Sequence, residues 1–279
     1  MKSVAHKLQP TMIIKDHPTE SPHPVAVSTS VESAELKARF QRDGFVLLPG
    51  LANPETVERI LEATKQMQNT LEPPIEFEAE LGYPGAPPSE NAPGGQTIRR
   101  FKRVLSRNPV FREWATSYIL TAAIKELLGT SIVLSLAHHN CVMSKDPQFS
   151  SDTGWHQDIR FWRFERPELV SVLLALNGAN SINGGLRFLP GSHRMTFNAD
   201  QLDEESFLRE DLEENQELVR NQAFLEMEAG DVAIFHCRIF HAASRNRGAE
   251  ARKSVIFTYR SSDNPPIPGT RSDAEEISL

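Results

Sequence analysis

The chain has 279 residues, with 30 lysines and arginines against 37 aspartates and glutamates, so its formal net charge is −7. A hydrophobic share of 39% suffices for a folded core, whereas the acidic balance argues against a protein that binds nucleic acid through phosphate contacts. Two cysteines cannot form a disulfide framework, and no apolar run approaches the about 20 residues of a membrane helix. We therefore expect a cytoplasmic monomer or homodimer with neither a nucleic-acid nor a membrane partner.

The first half of the chain predicts a tail followed by helices around one short strand. Residues 1–30 are rich in Pro, Ser, Thr and His without a period, which predicts a disordered tail. Each of two Asn-Pro pairs supplies an N-cap and a proline at the first helical position, so each predicts the start of a helix. The predicted elements are a helix over 32–40, a strand over 45–48, a helix from Asn53 with one apolar face, and a helix from Asn108 to Gly129.

Two segments interrupt this regular pattern. Residues 72–95 contain six prolines and four glycines, and so long a loop in a compact domain is typical of a lid, a binding loop or disorder. Residues 200–220 contain nine acidic side chains and two arginines, which accounts for the whole net charge of −7. We expect a Pro/Gly-rich lid loop at 72–95 and an acidic helical insertion at 200–220 on an otherwise neutral body.

From residue 132 onward the hydrophobic period is that of strands. Short β-branched and aromatic runs are separated by turn signals such as 183–185 and 190–192. Helices followed by strands predict an α+β, mainly β protein, in which N-terminal helices pack on one sheet of an antiparallel double sheet. We expect a single domain over 31–265 and a tail over 266–279. The predicted strands cover 132–136, 170–176, 232–235 and 255–259.

A candidate metal site begins at His156 and Asp158. Residues two apart in a strand point to the same face, so both side chains can ligate one ion. A His-x-Asp pair alone occurs by chance in many chains, and the third ligand must come from elsewhere. His241 offers it, because it follows a strand candidate that begins after Gly230-Asp231. Two imidazoles and one carboxylate form the facial triad of non-haem Fe(II) oxygenases, which leaves positions open for a bidentate cosubstrate and O₂.

Arg252 is the candidate that binds the cosubstrate. It lies eleven residues after His241, at the head of the next strand candidate. A guanidinium fork at this place can hold the far carboxylate of 2-oxoglutarate in a bidentate pair. The alternative is a surface cation at the end of a strand.

The order of these motifs resembles the phytanoyl-CoA dioxygenase family of Fe(II)/2-oxoglutarate-dependent oxygenases, over about residues 33–260. The resemblance implies a double-stranded β-helix core, a cupin-like jelly roll, with Fe(II) on His156, Asp158 and His241. It also implies that Arg252 binds the tail carboxylate of 2-oxoglutarate. The matching motifs are Trp155-His156-Gln157-Asp158, Asn183-Gly184-Gly185-Leu186, Leu189-Pro190-Gly191-Ser192-His193, Gly230-Asp231, His241 with Asn246, and Arg252.

The sequence departs from the family pattern after the distal histidine. Many members carry Gly-Ser there, and the serine hydroxyl supports the cosubstrate carboxylate. This chain reads His241-Ala242-Ala243-Ser244, so the hydroxyl is absent or is displaced by one residue to Ser244. Either 2-oxoglutarate binds more weakly, or Ser244 compensates. Asp158 is retained where related halogenases have a small residue, which argues against chlorination.

Candidate substrate contacts surround the metal motif. Arg160 and Trp162 follow it closely, although a packed tryptophan and a solvated arginine are an equal alternative. His139 and Asn140 can face the cavity or serve as scaffold, and His236 is expected to be structural because its strand parity differs from that of His241. The basic cluster at 99–103 fits either an anionic substrate or a solvated face.

These patterns together predict a 2-oxoglutarate-dependent dioxygenase that hydroxylates an unidentified small molecule and releases succinate and CO₂. The alternative is a catalytically silent jelly-roll protein that uses its pocket for binding or sensing. The intact triad favours the enzyme, and the missing hydroxyl at Ala243 keeps the alternative open.

Overall fold

The computed structural model describes residues 30–279, with side chains from Ser33 onward. The tail predicted over 1–30 therefore lies outside the described residues, apart from Ser30. The described helices are α1 (Ser30–Asp43), α2 (Pro54–Thr70), α3 (Pro109–Ala115), α4 (Tyr118–Leu128) and α5 (Glu213–Arg220). The described strands are β1 (Phe45–Leu48), β2 (Ile75–Phe77), β3 (Ile98–Lys102), β4 (Ile132–Lys145), β5 (Thr153–His156), β6 (Leu169–Ala175), β7 (Leu186–Phe188), β8 (Ala223–Phe224), β9 (Val232–His236), β10 (His241–Ala243), β11 (Arg252–Ser261) and β12 (Glu276–Ser278).

The strands form two antiparallel sheets, which confirms the jelly-roll core. The large sheet has the order β1-β9-β6-β11-β4-β3-β2, with β12 paired to β4 as an eighth strand, and the small sheet has the order β5-β10-β7-β8. Apolar side chains from both sheets meet in one inner cluster, in which the rings of Phe45 and Phe188 stack at 4.6 Å beside Leu173 and Ile256. The site described below lies at this inner face.

The N-terminal helices α1 to α4 pack on the outer face of the large sheet, as predicted. The Asn53 side chain accepts a hydrogen bond of 2.8 Å from the Thr56 amide, and Pro54 starts α2. This cap satisfies an amide that the helix itself cannot pair. The buried residues of α2, including Ile60, join Phe257 and Tyr259 of β11 in the largest core cluster.

The helix predicted from Asn108 to Gly129 is two helices. α3 ends at Ala115, whose carbonyl accepts a hydrogen bond of 2.7 Å from the Tyr259 hydroxyl. Ser117 is extended, with φ −60° and ψ 143°, and α4 starts after it. Because Ser117 leaves the helical conformation, the chain changes direction between α3 and α4.

A wide bulge separates two halves of the longest strand pair. β4 and β11 pair Phe257 with Asn140 and then Thr258 with Ser135. Residues 136–139 of β4 therefore have no partner of their own on β11. This bulge carries His139 away from the regular alternation of the strand.

Segment 72–95 and the C-terminal segment contain more regular structure than expected, and segment 200–220 contains less helix than expected. Segment 72–95 includes β2, which pairs with β3, whereas the helix of segment 200–220 covers only α5. The prediction of a tail over 266–279 is wrong at its end, because β12 pairs with β4 and Ile277 packs against the core. No helix in the part of the chain that the structure describes is long and apolar enough to cross a bilayer.

Candidate metal centre

Two histidines from neighbouring strands of the small sheet lie side by side. His156 is the last residue of β5 and His241 the first of β10, and the two are direct antiparallel partners. Directly opposed residues point to the same face, and their ring centroids are 4.2 Å apart. Each Nδ1 faces a backbone carbonyl, at 2.9 Å for His156 and 3.1 Å for His241. Because a carbonyl only accepts, each Nδ1 carries the proton and each Nε2 keeps a lone pair for a ligand.

Asp158 completes the group just beyond the end of β5. Strand pairing stops at His156, but Gln157 remains extended with φ −108° and ψ 137°, so Asp158 still points to the same side. Its Oδ1 lies 3.6 Å from His241 Nε2, and its Oδ2 accepts a hydrogen bond of 2.5 Å from the Ser171 hydroxyl. One ligand atom from each of His156, Asp158 and His241 lies within 4.8 Å of the others. The predicted triad is thus brought together.

The protonation states of the triad suit a metal ion. Burial lowers the pKa of both histidines below the usual range, and for His156 the neighbouring His241 adds to the effect. Burial alone would raise the pKa of Asp158, but the neighbouring His139 and His241 side chains outweigh burial and hold that pKa well below its ordinary value. Neutral imidazoles and an ionised carboxylate are the forms that bind metals. Two nitrogens and one carboxylate oxygen with open positions match the non-haem Fe(II) triad.

His139 lies beside the triad as a neighbour of Asp158. Its Nε2 is 3.0 Å from Asp158 Oδ1, and its ring meets the edge of Trp162 with centroids 5.5 Å apart. Burial lowers the pKa of His139, but Asp158 more than offsets this and raises it to about 9. The structure thus places this predicted cavity residue at the metal ligand itself.

Arg252 lies at the opposite end of the inner face from the bulge. It is 3% exposed, no carboxylate pairs with it among the described residues, and its Nε has no hydrogen-bond partner. Burial, together with the like charge of Arg99, lowers its pKa to about 10. A buried, uncompensated guanidinium is costly unless an anion pairs with it. Arg252 is therefore a candidate for a carboxylate ligand, as predicted.

Two further buried basic side chains, those of Lys145 and Arg99, lie close to Arg252. Lys145 is its direct strand partner, and the Lys145 ammonium donates to the carbonyls of Ser151 at 2.7 Å and Ala243 at 3.5 Å. Burial, with Arg252 and Arg99 nearby, holds the pKa of Lys145 well below its usual value. Ala243 is two residues from His241 in β10, so this cationic pocket adjoins the triad.

Arg99 belongs to the buried framework of this pocket. It is 2% exposed and donates to Glu78 at 3.1 Å, Ser151 at 2.8 Å and Thr153 at 3.0 Å. The interpretation of the basic cluster as a solvated face is therefore wrong for Arg99. The sequence alone does not predict that Arg99 pairs with Glu78, which lies 21 residues upstream.

Ser244 directly follows β10, at the end of the strand that carries His241. Its hydroxyl makes no hydrogen bond within the described residues, and its side chain is partly exposed. Ala243, the position where the family often has serine, packs in the inner cluster, whereas Ala242 packs in a different cluster on the other side of the strand.

Of the remaining candidate substrate contacts, one lies beside the triad and two are packed in the scaffold. Arg160 lies over the Phe207 ring, with its guanidinium carbon 4.1 Å from the ring centroid. Trp162 is 7% exposed and packs with Phe164 in a separate cluster, which corresponds to the alternative of a packed tryptophan. For Asn140 the structure favours the scaffold alternative over a cavity contact, because its Oδ1 accepts a hydrogen bond of 3.1 Å from the Leu105 amide.

Two residues near the triad were missed in the sequence. Ser171 holds Asp158, and its only signal is a polar residue within the apolar run of β6. Phe207, in the acidic insertion, meets the His156 ring edge-on with centroids 5.7 Å apart. No local pattern predicts that this residue reaches the metal centre.

Comparison with known proteins identifies the family. The phytanoyl-CoA dioxygenase (PhyH) family model matches residues 40–254. An ectoine dioxygenase of Bordetella bronchiseptica is 26% identical over 267 residues, covering 88% of this chain and 82% of the relative. A probable alpha-ketoglutarate-dependent hypophosphite dioxygenase of Stutzerimonas stutzeri is 23% identical, covering 88% of this chain and 85% of the relative.

A solved structure shares the fold. EctD from S. alaskensis, in a crystal structure with 2-oxoglutarate and 5-hydroxyectoine, superposes with a TM-score of 0.68 at 19% identity, covering 92% of this chain and 87% of that one. The relatives' dioxygenase activities and the His-Asp-His group favour an enzyme over a silent binding protein. The chain therefore belongs to the phytanoyl-CoA dioxygenase family and is a non-haem iron dioxygenase that uses 2-oxoglutarate as its cosubstrate.

Proposed function

We propose that His156, Asp158 and His241 hold Fe(II), that Arg252 binds the tail carboxylate of 2-oxoglutarate, and that the enzyme hydroxylates a small molecule. The observation that carries this proposal is the convergence of three ligand atoms within 4.8 Å. The buried and unpaired guanidinium of Arg252 supports the second part.

The residues around the metal centre have separate tasks. When bound, Fe(II) and 2-oxoglutarate supply the oxidation chemistry: with O₂, the cosubstrate becomes succinate and CO₂, and one oxygen atom enters the substrate. Ser171 fixes the carboxylate of Asp158, and the carbonyls of Gly154 and Ile239 fix the two imidazoles. Such partners set the orientation and basicity of metal ligands.

Arg252 orients the cosubstrate from the other end. A planar guanidinium makes two parallel hydrogen bonds to a carboxylate, which fixes direction as well as position. Ser244 is a candidate for an additional hydroxyl contact, since Ala243 offers none. Lys145 keeps the surrounding carbonyls paired and contributes positive potential next to Arg252.

We also propose that segment 72–95 closes over the substrate. Tyr83 of this segment lies edge-on to Phe207, with ring centroids 5.7 Å apart, and Phe207 in turn contacts the His156 ring. Limited proteolysis with and without 2-oxoglutarate and substrate tests this proposal. We expect cleavage within 72–95 to slow on binding, and unchanged cleavage contradicts a closing role.

The cellular setting belongs to the same proposal. We propose a cytoplasmic enzyme, monomeric or homodimeric, without a nucleic-acid or membrane partner. Its cysteines, Cys141 and Cys237, are both free and buried, which accords with a reducing compartment. Size-exclusion chromatography with light scattering measures the oligomeric state.

The activity is tested by product formation. The protein with Fe(II), 2-oxoglutarate and air is incubated with pools of small metabolites, and succinate is quantified. We expect succinate release that requires Fe(II) and O₂ and rises with a particular pool, with Zn(II) in place of Fe(II) as the control. Absence of Fe(II)-dependent succinate in every pool and in the protein alone contradicts the proposal.

A further inference from the structure

Arg160 lies beside the candidate metal centre and contacts residues of two other segments, 72–95 and 200–220. Arg160, in the turn after Asp158, lies 4.1 Å from the centroid of the Phe207 ring. It donates to the carbonyl of Glu205 at 2.9 Å and to the hydroxyl oxygen of Tyr83 at 3.4 Å. None of these partners is a carboxylate, so the charge of Arg160 has no ion-pair partner within the described residues.

Arg100 approaches the same place from the large sheet. In β3 it is the direct partner of Met143 in β4, and Met143 packs against the inner cluster between the sheets. Opposed residues share a face, so Arg100 starts from the inner face. Its guanidinium makes no hydrogen bond within residues 33–279, and its side chain is 27% exposed.

The only carboxylate within ion-pair distance of Arg100 in the described chain is already shared. Glu76 Oε1 lies 3.5 Å from Arg100 Nε, while Glu76 Oε2 lies 2.7 Å from the Lys102 ammonium. Arg99 Nε is also 3.6 Å from Glu76 Oε1. Arg99 also pairs with Glu78 at 3.1 Å, so two carboxylates face the three cations and one positive charge remains in surplus.

Arg100 lies on the Tyr83 side of the inner face, because it shares the Glu76 carboxylate with Arg99, whose guanidinium lies over the Tyr83 ring. Burial lowers the pKa of Arg100, but Glu76 together with Cys141, Tyr83 and Asp158 outweighs burial and raises that pKa. Tyr83 also has the Arg99 guanidinium over its ring at 5.0 Å. Its hydroxyl therefore lies among cations, and its ring contacts Phe207, which in turn contacts His156.

We propose that Arg100, Arg160 and the Tyr83 hydroxyl form a subsite for an oxyanion of the substrate, so that the substrate is a small carboxylate or phosphonate. This inference rests on the proposed function and adds a second anion site, separate from Arg252. Guanidinium groups without their own carboxylates gain most from an oxyanion, which accepts charge-assisted hydrogen bonds from them. Phe207 and Tyr83 supply apolar surface for the rest of a small molecule.

Binding of simple anions tests the subsite without knowledge of the substrate. The protein is loaded anaerobically with Fe(II) and saturating 2-oxoglutarate, so that Arg252 is occupied. Acetate and methylphosphonate are titrated by calorimetry at constant ionic strength, with acetamide and dimethyl methylphosphonate as neutral counterparts. We expect at least one anion to bind and its neutral counterpart not to bind.

Matched variants locate the binding. We expect Arg100→Gln to weaken the anion by about tenfold and to leave the affinity for 2-oxoglutarate unchanged. Arg59→Gln is the control, because Arg59 is exposed on α2 and pairs only with Glu113 among the described residues. Circular dichroism confirms folding. Equal affinity for anions and neutral counterparts, or an unchanged affinity in Arg100→Gln, overturns the subsite.

The same titration separates this inference from the proposed function. It is repeated on metal-free Arg252→Gln, in which the cosubstrate site is disabled. Anion binding that still depends on Arg100 supports the subsite even if no Fe(II) and 2-oxoglutarate complex forms. A normal Fe(II) and 2-oxoglutarate complex without Arg100-dependent anion binding rejects the subsite and leaves the proposed function intact.

Discussion

His156 and His241 are direct partners across the antiparallel strands β5 and β10, with their ring centroids 4.2 Å apart. The sheet register itself thus brings together two ligands that are 85 positions apart in the sequence. Asp158 joins them because the chain stays extended for one residue beyond β5. The register of β5 and β10 and the extended Gln157 thus position all three candidate ligands.

Replacement of Asp158 removes a ligand but little packing. We expect Asp158→Ala to lower Fe(II)-dependent succinate formation by at least about 100-fold, because a triad that keeps only two of its ligands holds iron poorly. Circular dichroism and thermal unfolding are expected to show a folded protein. Asp211→Ala, at an exposed carboxylate of the acidic insertion, is the control. Unchanged activity of Asp158→Ala excludes this residue as a ligand.

Ser171 acts on the metal only through Asp158. We expect Ser171→Ala to weaken Fe(II) binding by about 10- to 100-fold, as is typical when the hydrogen-bond partner of a ligand is lost. Ser135→Ala is a matched control, since Ser135 is equally buried but its hydroxyl has no hydrogen-bond partner. Fe(II) affinity is measured by competition with a chelator. If both variants bind iron equally well, Ser171 does not support the ligand.

The fork of Arg252 is expected to be essential for the cosubstrate. Arg252→Lys keeps the charge but loses the bidentate geometry, so we expect the KM for 2-oxoglutarate to rise by about tenfold. Arg166→Lys, at an exposed arginine, is the control. An unaltered KM assigns the tail carboxylate to another residue, of which Lys145 is the nearest candidate.

A serine at position 243 restores the hydroxyl that many family members carry two residues after the distal histidine. Ala243 lies two residues from His241 and faces the inner cluster. If no other group replaces the hydroxyl, Ala243→Ser is expected to lower the KM for 2-oxoglutarate by about fivefold, the gain from one good hydrogen bond. If Ser244 compensates instead, Ser244→Ala raises the KM and Ala243→Ser has no effect. An unchanged KM in both variants shows that the site needs no hydroxyl at either position.

His236 makes the stability of the metal-free protein depend on pH. Its Nδ1 accepts a hydrogen bond of 3.0 Å from the Arg238 amide, and burial, with His193 and Arg238 nearby, lowers its pKa from 6.5 to about 4. As pH falls, the unfolded chain binds this proton first, so the free energy of unfolding decreases between pH 6.5 and 4. We expect His236 to contribute up to roughly 3 kcal/mol of that loss.

Urea unfolding at a series of pH values in the presence of a chelator measures this contribution. The variant His236→Gln cannot titrate, so its unfolding free energy is expected to fall less steeply than that of the native chain in the same range. Parallel curves for the two proteins contradict the assignment.

Local patterns in the sequence predicted the elements that depend on local chemistry. The Asn53-Pro54 cap marked α2, and the two-residue spacing of His156 and Asp158 marked the ligand pair. The sequence did not predict which distant segments pair with each other. The bulge that brings His139 to Asp158, and the return of β12 to β4, depend on register across the sheet.

The sequence also did not predict the direction in which individual side chains point. The sequence left open whether Asn140 faces the cavity or the scaffold. It bonds to Leu105 on the helical side of the sheet, because strand alternation is set by which face is buried. Arg99 was compatible with a solvated face but is buried, since Glu78 compensates its charge. Both outcomes follow from partners that only the fold brings close.

The central claim is that one Fe(II) ion and one 2-oxoglutarate bind together at His156, Asp158 and His241. The most direct measurement is the visible absorption spectrum of the anaerobic protein titrated with Fe(II) and 2-oxoglutarate. We predict a weak charge-transfer band that saturates at one equivalent of each and is lost in Asp158→Ala. A folded native protein that shows no such band, or an Asp158→Ala variant that retains it, would contradict the claim.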